Sequence, residues 1–438
     1  MAVFTPALSA IRQQIGRNLG LLRATGSVLV APTATTIFSN AIIYTDSNDP
    51  IGMFLYFNEG ADIQDERTVT AYTPYSATSA SLIARLDVLR PFASVPSTNS
   101  AFELWEKLRP TDVNQAIIEA VRRMGRKQLV GREDFSIILN SPVRNGGFDS
   151  WLAGTTSAPD GWTLAGTSGT ISRVTQPRYG GRYSAAVLNG ASQLATLESD
   201  NLPEWARYAD RSVTAYARVY APAGSRARLQ IDDGVGQTNS DYAASGFSEI
   251  SVTRTIAVTP TKLTILLRTE TGTAITVNWC KAWMDVGSAI YEYPFSRGFA
   301  FMSQIWRDSS VDGRYDVLIP SRAYWVDRTA NPPVLRFIPE FLGTVLGSSQ
   351  NTTLTGRQLL IKGQGFPQVP SAETDILQVD PEYVRMRAGA ILLQQLPWNE
   401  SDRWGYQAKY DRWTAEAERI ERSVTVRPAP DSQSVEDF

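Results

Sequence analysis

The chain has 438 residues, 43% of them hydrophobic and 20% charged, with a net charge of −2. That length allows two or three cores, the balance is ordinary for folded protein, and no bulk positive field draws the chain to nucleic acid or to an anionic membrane. Histidine is absent and Cys280 is the sole cysteine, which excludes the usual zinc and copper ligand sets, Ser-His and Cys-His dyads and internal disulfides, and leaves a carboxylate-only enzyme as the catalytic possibility.

No run approaches the ~18 apolar residues of a membrane span. The opening MAVFTPALSAIRQQIG has no long apolar core, so the expectation is a chain that does not cross a membrane by itself. Residues 5–23 place Leu8, Ile11, Ile15 and Leu19 at helical steps, with Gly16 and Gly20 weakening the helix. Strand texture follows from 28 to 75, in SVLVAPTATTIF, NAIIYTD, GMFLYFNEG and RTVTAYTPYSATSAS, and reads as hairpins; residues 60–80 are a candidate loop or hairpin. A helical stretch is predicted over 101–129, with Leu104, Trp105, Leu108, Val113, Ile117, Val121 and Met124 in phase and Pro110 dividing it into two helices. Its end is basic: Arg122, Arg123, Arg126, Lys127 and Arg132. Such a run complements a helix macrodipole or, alternatively, meets a phosphate or an acidic partner.

Between 141 and 288 the pattern is that of a separate antiparallel β-sandwich spliced into the chain. It opens with Asn145-Gly-Gly-Phe148-Asp149-Ser-Trp151 and closes with Trp279-Cys280-Lys281-Ala282-Trp283-Met284-Asp285. In Thr214–Ala221, Tyr216, Arg218 and Tyr220 share one strand face and Ala215, Ala217 and Val219 the other. Ile275, Val277, Trp279 and Trp283 are expected to share a face, and the alternation makes Cys280 a buried apolar thiol. Five of the eleven tryptophans fall here: Trp151, Trp162, Trp205, Trp279 and Trp283. Aromatic faces suit sugar binding but are more often core; Trp205 and then Tyr242, in polar surroundings, are the candidate glycan-binding residues.

Strands resume in FAFMSQIW, YDVLIP, AYWVD and VLRFIP. Asp380-Pro381-Glu382 starts a helix with an N-cap, proline at the first position and an acid in the first turn. A last helix from about Glu400 to Arg422 carries Tyr406, Tyr410, Trp413, Ala417 and Ile420 at alternating steps of four and three, a stripe for the core or for a partner helix. The remaining VRPAPDSQSVEDF is a polar tail. The expected fold class is therefore multidomain α+β, a helix bundle with β-hairpins plus an inserted antiparallel sandwich: 1–140, the insert 141–288, 289–425, and a tail 426–438. The glycines of Gly363-Gln-Gly365 and Gly343–Gly347 have the wrong spacing for a nucleotide-binding loop and read as turns.

The insert resembles the jelly-roll carbohydrate-binding modules associated with glycoside hydrolases. The resemblance rests on Asn145, Gly146, Gly147, Phe148 and Asp149, where Asp stands in place of the usual Glu, on Trp162, and on SVTAYARVYAPAG. It implies a sugar-binding surface and a structural calcium, for which Asp149 and Asp285 would be the ligands. The segment RQLLIKGQGFPQVPSAETDILQVDPEYVRMRAGAILLQQL is similar to the closing part of tailed-bacteriophage head-to-tail adaptor, or neck, proteins. That resemblance implies a virion protein at the head-tail junction, made in the host cytoplasm, forming a homo-oligomeric ring, twelve-fold in that family. The ring would contact the portal protein and neighbouring neck or tail proteins, and DNA would pass through without sequence-specific binding. Arg122, Arg123, Arg126, Tyr406, Tyr410 and Trp413 are then interface candidates. The leading expectation is a non-catalytic structural virion protein with no cofactor. The alternative is a tail or capsid-surface protein binding a host glycan, and a carbohydrate-active enzyme is the remote one.

Overall fold

The computed structural model describes residues 6–30, 32–42, 44, 49–60, 63–74, 83–166, 169–190, 194–223, 226–270, 274–296, 298–308, 314–339, 356–396 and 403–424. The expected tail, the turn at Gly343–Gly347, the 75–80 stretch and the expected helix start at Glu400 lie outside them. The chain divides into two compact units: unit 1 is Met1–Val130 with Phe366–Pro428, and unit 2 is Gly131–Gly365 with Ala429–Phe438.

Unit 1 combines a six-stranded sheet with helices. The sheet order is β1-β6-β3-β4-β5-β2, from β1 (Leu22–Ser27), β2 (Thr36–Ser39), β3 (Phe54–Phe57), β4 (Glu66–Thr73), β5 (Ala84–Val88) and β6 (Ala101–Trp105). A register shift between Val69 and Ala71 marks β4, which pairs β3 through Glu66–Thr68 and β5 through Val69–Thr73. The helices are α1 (Leu8–Leu19), α2 (Pro110–Gly125), α3 (Pro381–Gln395) and α4 (Arg403–Ser423).

The apolar stripe of α1 is buried as its spacing predicts. Gly16 is required there, because a Cβ would stand 2.4 Å from the Trp105 ring, and Gly20, at φ 75°, ends the helix in the left-handed region that glycine adopts without strain. Asp380 caps α3, its Oδ1 accepting from the backbone N–H of Glu382 and Tyr383.

The helix expected across 101–109 is instead β6, a central strand between β1 and β3. Five residues of apolar texture fit either period, and burial on both faces decides for the strand. Unit 1 is therefore richer in sheet than the helix bundle with β-hairpins that was expected, and its strands are not simple sequential hairpins: β1 pairs β6 and β2 pairs β5.

A buried ionic knot ties the two stretches of unit 1 together. Arg12 on α1 is inaccessible and bridges Glu103 on β6 at 2.8 Å and Glu373 at 2.7 Å. The Trp105 indole donates to Glu103 and the Tyr56 hydroxyl to Glu373. Burial alone would weaken the Arg12 charge, but the two carboxylates outweigh it and hold the guanidinium protonated.

Unit 2 contains the expected sandwich. Sheet I has the order β15-β12-β17-β10-β9 and sheet II the order β14-β13-β16-β11-β8. Their strands are β8 (Trp162–Ala165), β9 (Thr170–Val174), β10 (Ser184–Leu188), β11 (Ala195–Ser199), β12 (Ser212–Ala221), β13 (Ala227–Asp232), β14 (Gln237–Tyr242), β15 (Gly246–Thr255), β16 (Thr264–Thr269) and β17 (Thr276–Asp285). Alternation sends Ala215, Ala217 and Val219 into one core with Leu229, Ile231, Ile265 and Leu267.

The compact unit is wider than the sandwich. It also holds β7 (Val130–Asp134), β18 (Glu292–Pro294), β19 (Phe301–Asp308), β20 (Tyr315–Ile319), β21 (Tyr324–Asp327), β22 (Val334–Phe337) and β23 (Leu359–Gly365), in a three-stranded sheet β18-β22-β21 and a four-stranded sheet β20-β19-β23-β7. The sandwich core runs from Val143 to Val286, within the expected insert 141–288, and the compact unit around it extends to 131 and 365. The physical reason is a second core, in which Ile137 and Leu139 pack with Tyr293, Ile305, Phe337 and Ile361.

Candidate functional site

The opening motif of the insert builds a corner. Asn145 is buried at φ 50°. Its Oδ1 accepts from the N–H of Asp149 and Ser150, and its Nδ2 donates to the carbonyls of Ser150 and Asp160, at 2.8 to 3.1 Å. Gly146 and Gly147 pass so close to other backbone that a Cβ would meet the Ala282 oxygen at 2.2 Å and the Phe135 oxygen at 2.1 Å. Phe148 packs on Trp162 with ring centroids 5.1 Å apart.

The tryptophans are structural. Trp151, Trp162, Trp279 and Trp283 are all buried, and Trp205 is half-buried in a short 3-10 turn against the sandwich core. Trp205 is therefore not an open platform. A bulge in β17 opposite Arg218/Val219 also corrects the expected face: Trp279 points into the core, whereas Trp283 is on the opposite face, stacked on Tyr216 at 5.2 Å. Cys280 is buried, and burial pushes its thiol up to about 12, far from a reactive thiolate.

The two acids expected to bind calcium have other partners. Asp149 Oδ2 accepts from the Phe135 N–H, and its Oδ1 lies 3.7 Å from the Arg182 guanidinium; burial pushes its carboxyl up to about 6. Asp285 Oδ1 accepts from the Gly287 N–H. Among the described residues no group of three or more His, Cys, Asp or Glu side chains is arranged to hold a metal. At Asp149 the positive charge is a guanidinium.

The outer face of sheet I is covered in part and open at its β15 edge, where Phe247, Glu249, Ser251 and Thr253 are exposed. Lys281 on β17 is buried against Asp308 of β19 at 3.7 Å, and the backbone at Gly356 lies on the Trp283 ring. Sheet II carries a bonded polar array on its outer face. Along β13 the side chains of Arg228, Gln230 and Asp232 alternate with the core residues Leu229 and Ile231, and so lie on the outer face. Gln230 donates from Nε2 to Gln237 Oε1 at 3.0 Å and to Asn239 Oδ1 at 2.9 Å. Gln237 in turn donates to Asp232. Lys262 bridges Asp232 at 2.8 Å and Glu198 at 3.1 Å, and the Thr264 hydroxyl donates to Glu198.

Gln230, Asp232 and Thr264 are buried, while Gln237, Asn239 and Tyr242 at the edge are exposed, so the face has a recessed polar floor and an open rim. Tyr242 is 46% exposed, and the Arg228 guanidinium lies 4.7 Å from its ring centroid. Burial alone would raise the Asp232 carboxyl, but the bonds from Lys262, the Gly234 N–H and Gln237 hold it below its ordinary value. Burial would lower Lys262, and its two carboxylates hold it above. The floor is a fixed array of planar amides and carboxylates, and side chain to side chain bonding on this scale is uncommon on a solvent face. Of this set the sequence reading singles out Tyr242 alone. The alternation Arg228-Leu-Gln230-Ile-Asp232 carries the signal for the rest.

The interface candidates divide. Trp413 is buried in the unit 1 core, where Gly389 makes room for its ring, and Tyr406 and Tyr410 pack half-buried beside it; Trp413 is therefore not an interface residue. Arg123 and Lys127 reach Glu421 of α4 at 3.5 and 2.6 Å. Arg122 and Arg126 are exposed, with no ion-pair partner among the described residues. Arg132 belongs to β7 and to unit 2.

No protein-family model matches the chain, and no curated protein matches it. Solved structures similar to part of it include the TmCBM61 module in complex with β-1,4-galactotriose, at 15% identity, 33% of this chain, 97% of that one and TM-score 0.26. Another is the enzymatically active domain of bacteriophage CBA120 tailspike protein 4, at 12% identity, 33% of this chain, 21% of that one and TM-score 0.26. A third is the C-terminal family 22 carbohydrate-binding module of Clostridium thermocellum Xyn10B, at 17% identity, 30% of this chain, 88% of that one and TM-score 0.23. At such TM-scores the likeness adds nothing to what the sheets themselves show.

Proposed function

We propose that this chain is a non-catalytic glycan-binding protein, in which unit 2 supplies the binding surface and unit 1 is the scaffold that carries it, on the tail or capsid surface of a tailed phage. The observation that carries the reading is the recessed floor of sheet II, where Gln230, Gln237, Asn239, Asp232 and Lys262 hold one another in place beside the half-exposed Tyr242. A saccharide needs planar hydrogen-bonding groups for its hydroxyls and an aromatic face for its C–H side, in fixed positions that keep the ordering cost small. The test is a glycan array followed by calorimetric titration of the best ligand into wild-type protein and the Tyr242→Ala and Gln230→Ala variants. At least a tenfold loss of affinity in each is expected. Wild-type affinity in both variants would remove the face from consideration.

A second reading, the ring-forming neck protein that contacts a portal, has one observation in its favour. Arg122 and Arg126 stand exposed at the end of α2 while their neighbours Arg123 and Lys127 are paired within unit 1. Unpaired guanidinia of this kind suit an acidic partner surface. Mass photometry of the purified protein, with and without Arg122→Ser and Arg126→Ser, distinguishes the readings: closed rings lost in the variant favour the neck protein.

A further inference from the structure

Unit 2 contains a cavity of about 600 Å³ at one end of the sandwich, between the 141–150 and 203–208 loops and the strand pair β18 and β22. Its volume falls within the ~300–1,000 Å³ of small-molecule sites. None of the sheet II residues described above lines it.

Many of the polar groups in its wall already have partners. The Asn145 amide makes four hydrogen bonds within its corner. The Tyr293 hydroxyl accepts from the Asn140 N–H and donates to the Ile290 carbonyl. Asp160 accepts from the Ser150 hydroxyl and the Leu152 N–H, and Glu204 is paired with Arg207. Two groups differ. Arg144 is exposed, its methylenes lie over Gly161, and its guanidinium has no hydrogen-bond or ion-pair partner among the described residues. Tyr208 is buried against the sandwich core, and its hydroxyl also lacks a partner among the described residues.

The charges in the wall select against ions. Arg144 and Arg207 line the cavity together with Asp160, Glu204 and Glu292, and Arg336, outside the lining, stands 3.4 Å from Glu292, so an anion meets three carboxylates and a cation meets the guanidinia. A neutral polyol gains from both signs. The Arg144 fork donates to its oxygens, the carboxylates of Asp160 and Glu204 keep lone pairs to accept from its hydroxyls, and the Tyr208 hydroxyl does either.

We propose that this cavity is a second saccharide site, taking the terminal one to three units of a neutral glycan, with Arg144 and Tyr208 as its reading residues. It stands on residues separate from the sheet II face, and either site can fail without the other.

The test uses full-length protein in which Tyr242→Ala has disabled the face. Saturation-transfer NMR with β-1,4-galactotriose, xylotriose and cellotriose is recorded with and without Arg144→Ala or Tyr208→Phe, and thermal melting confirms that each variant is folded. Transfer to at least one neutral trisaccharide is expected in the Tyr242→Ala background, with at least a tenfold weaker Kd when Arg144 is replaced and a smaller loss for Tyr208→Phe. Absence of transfer to all three, or binding unaffected by either added change, overturns the proposal. So does tighter binding of a galacturonate trimer, because it would make the site anionic in preference.

Discussion

At the residue scale, the most informative side chain is Asn145, whose amide bonds four backbone groups of one corner. Removing it leaves those groups without partners, and Asn145→Ala is expected to cost about 3 kcal/mol by the usual penalty for unsatisfied buried groups. Asn145→Gly keeps the left-handed backbone available, so chemical denaturation of both variants separates the amide from the dihedral.

Two carboxylates of unit 2 make opposite predictions with pH. Asp233 is held down at about 2: burial would raise it, but bonds from the Ala257 and Gly236 N–H, Arg254 and the Val235 N–H prevail. Its contribution is present above about pH 4 and is lost as pH falls towards 2, a loss that Asp233→Asn abolishes. Asp149 is pushed up to about 6 by burial, so the folded state holds its proton more tightly than the unfolded one. Stability should therefore fall as pH rises from about 4 to 6, and Asp149→Asn should flatten that limb in urea melts.

At the element scale, β17 shows what is legible in a sequence and what is not. Its alternation marks a strand and correctly buries Cys280, but the bulge opposite Arg218 is a property of the pairing with β12, and it turns Trp283 and Lys281 onto the outer face. For the same reason β6 reads as a helix: its neighbours β1 and β3 come from elsewhere in the chain. The Asp380 cap, by contrast, is local chemistry and is readable directly.

The floor of sheet II lies between these cases, since alternation tells which side chains share a face but not which strands flank them. The same bulge has an energetic consequence. Lys281 is pushed down to about 8 by burial, which Asp308 only partly offsets, so stability should decline as pH falls from about 10.5 to 8 and stay at the lower level below that. Replacing the pair together, Lys281→Met with Asp308→Asn, is expected to be neutral or stabilising by about 1–4 kcal/mol. Asp308→Ala alone, which leaves Lys281 buried without its counter-charge, should cost about 3–5 kcal/mol. Differential scanning calorimetry at pH 7 checks both.

At the scale of the whole molecule, the division of labour rests on unit 1 being assembled from both stretches of the chain. The α1 and α2 stripes share a core with α3 and α4, and Arg12 on α1 holds Glu103 and Glu373, 361 residues beyond it. Among the described residues nothing in that core or that ionic knot comes from 131–365, so replacing this stretch with a Gly-Ser linker should leave a cooperatively folding unit 1. Arg12→Met in the shortened protein should then remove about 3–5 kcal/mol, because two carboxylates would be left buried without their counter-charge. Circular dichroism melts of the shortened protein and its Arg12→Met variant read both outcomes. A molten, non-cooperative transition in the shortened protein would mean that the scaffold depends on its insert, and the picture of a carrier with a separable binding module would have to be abandoned.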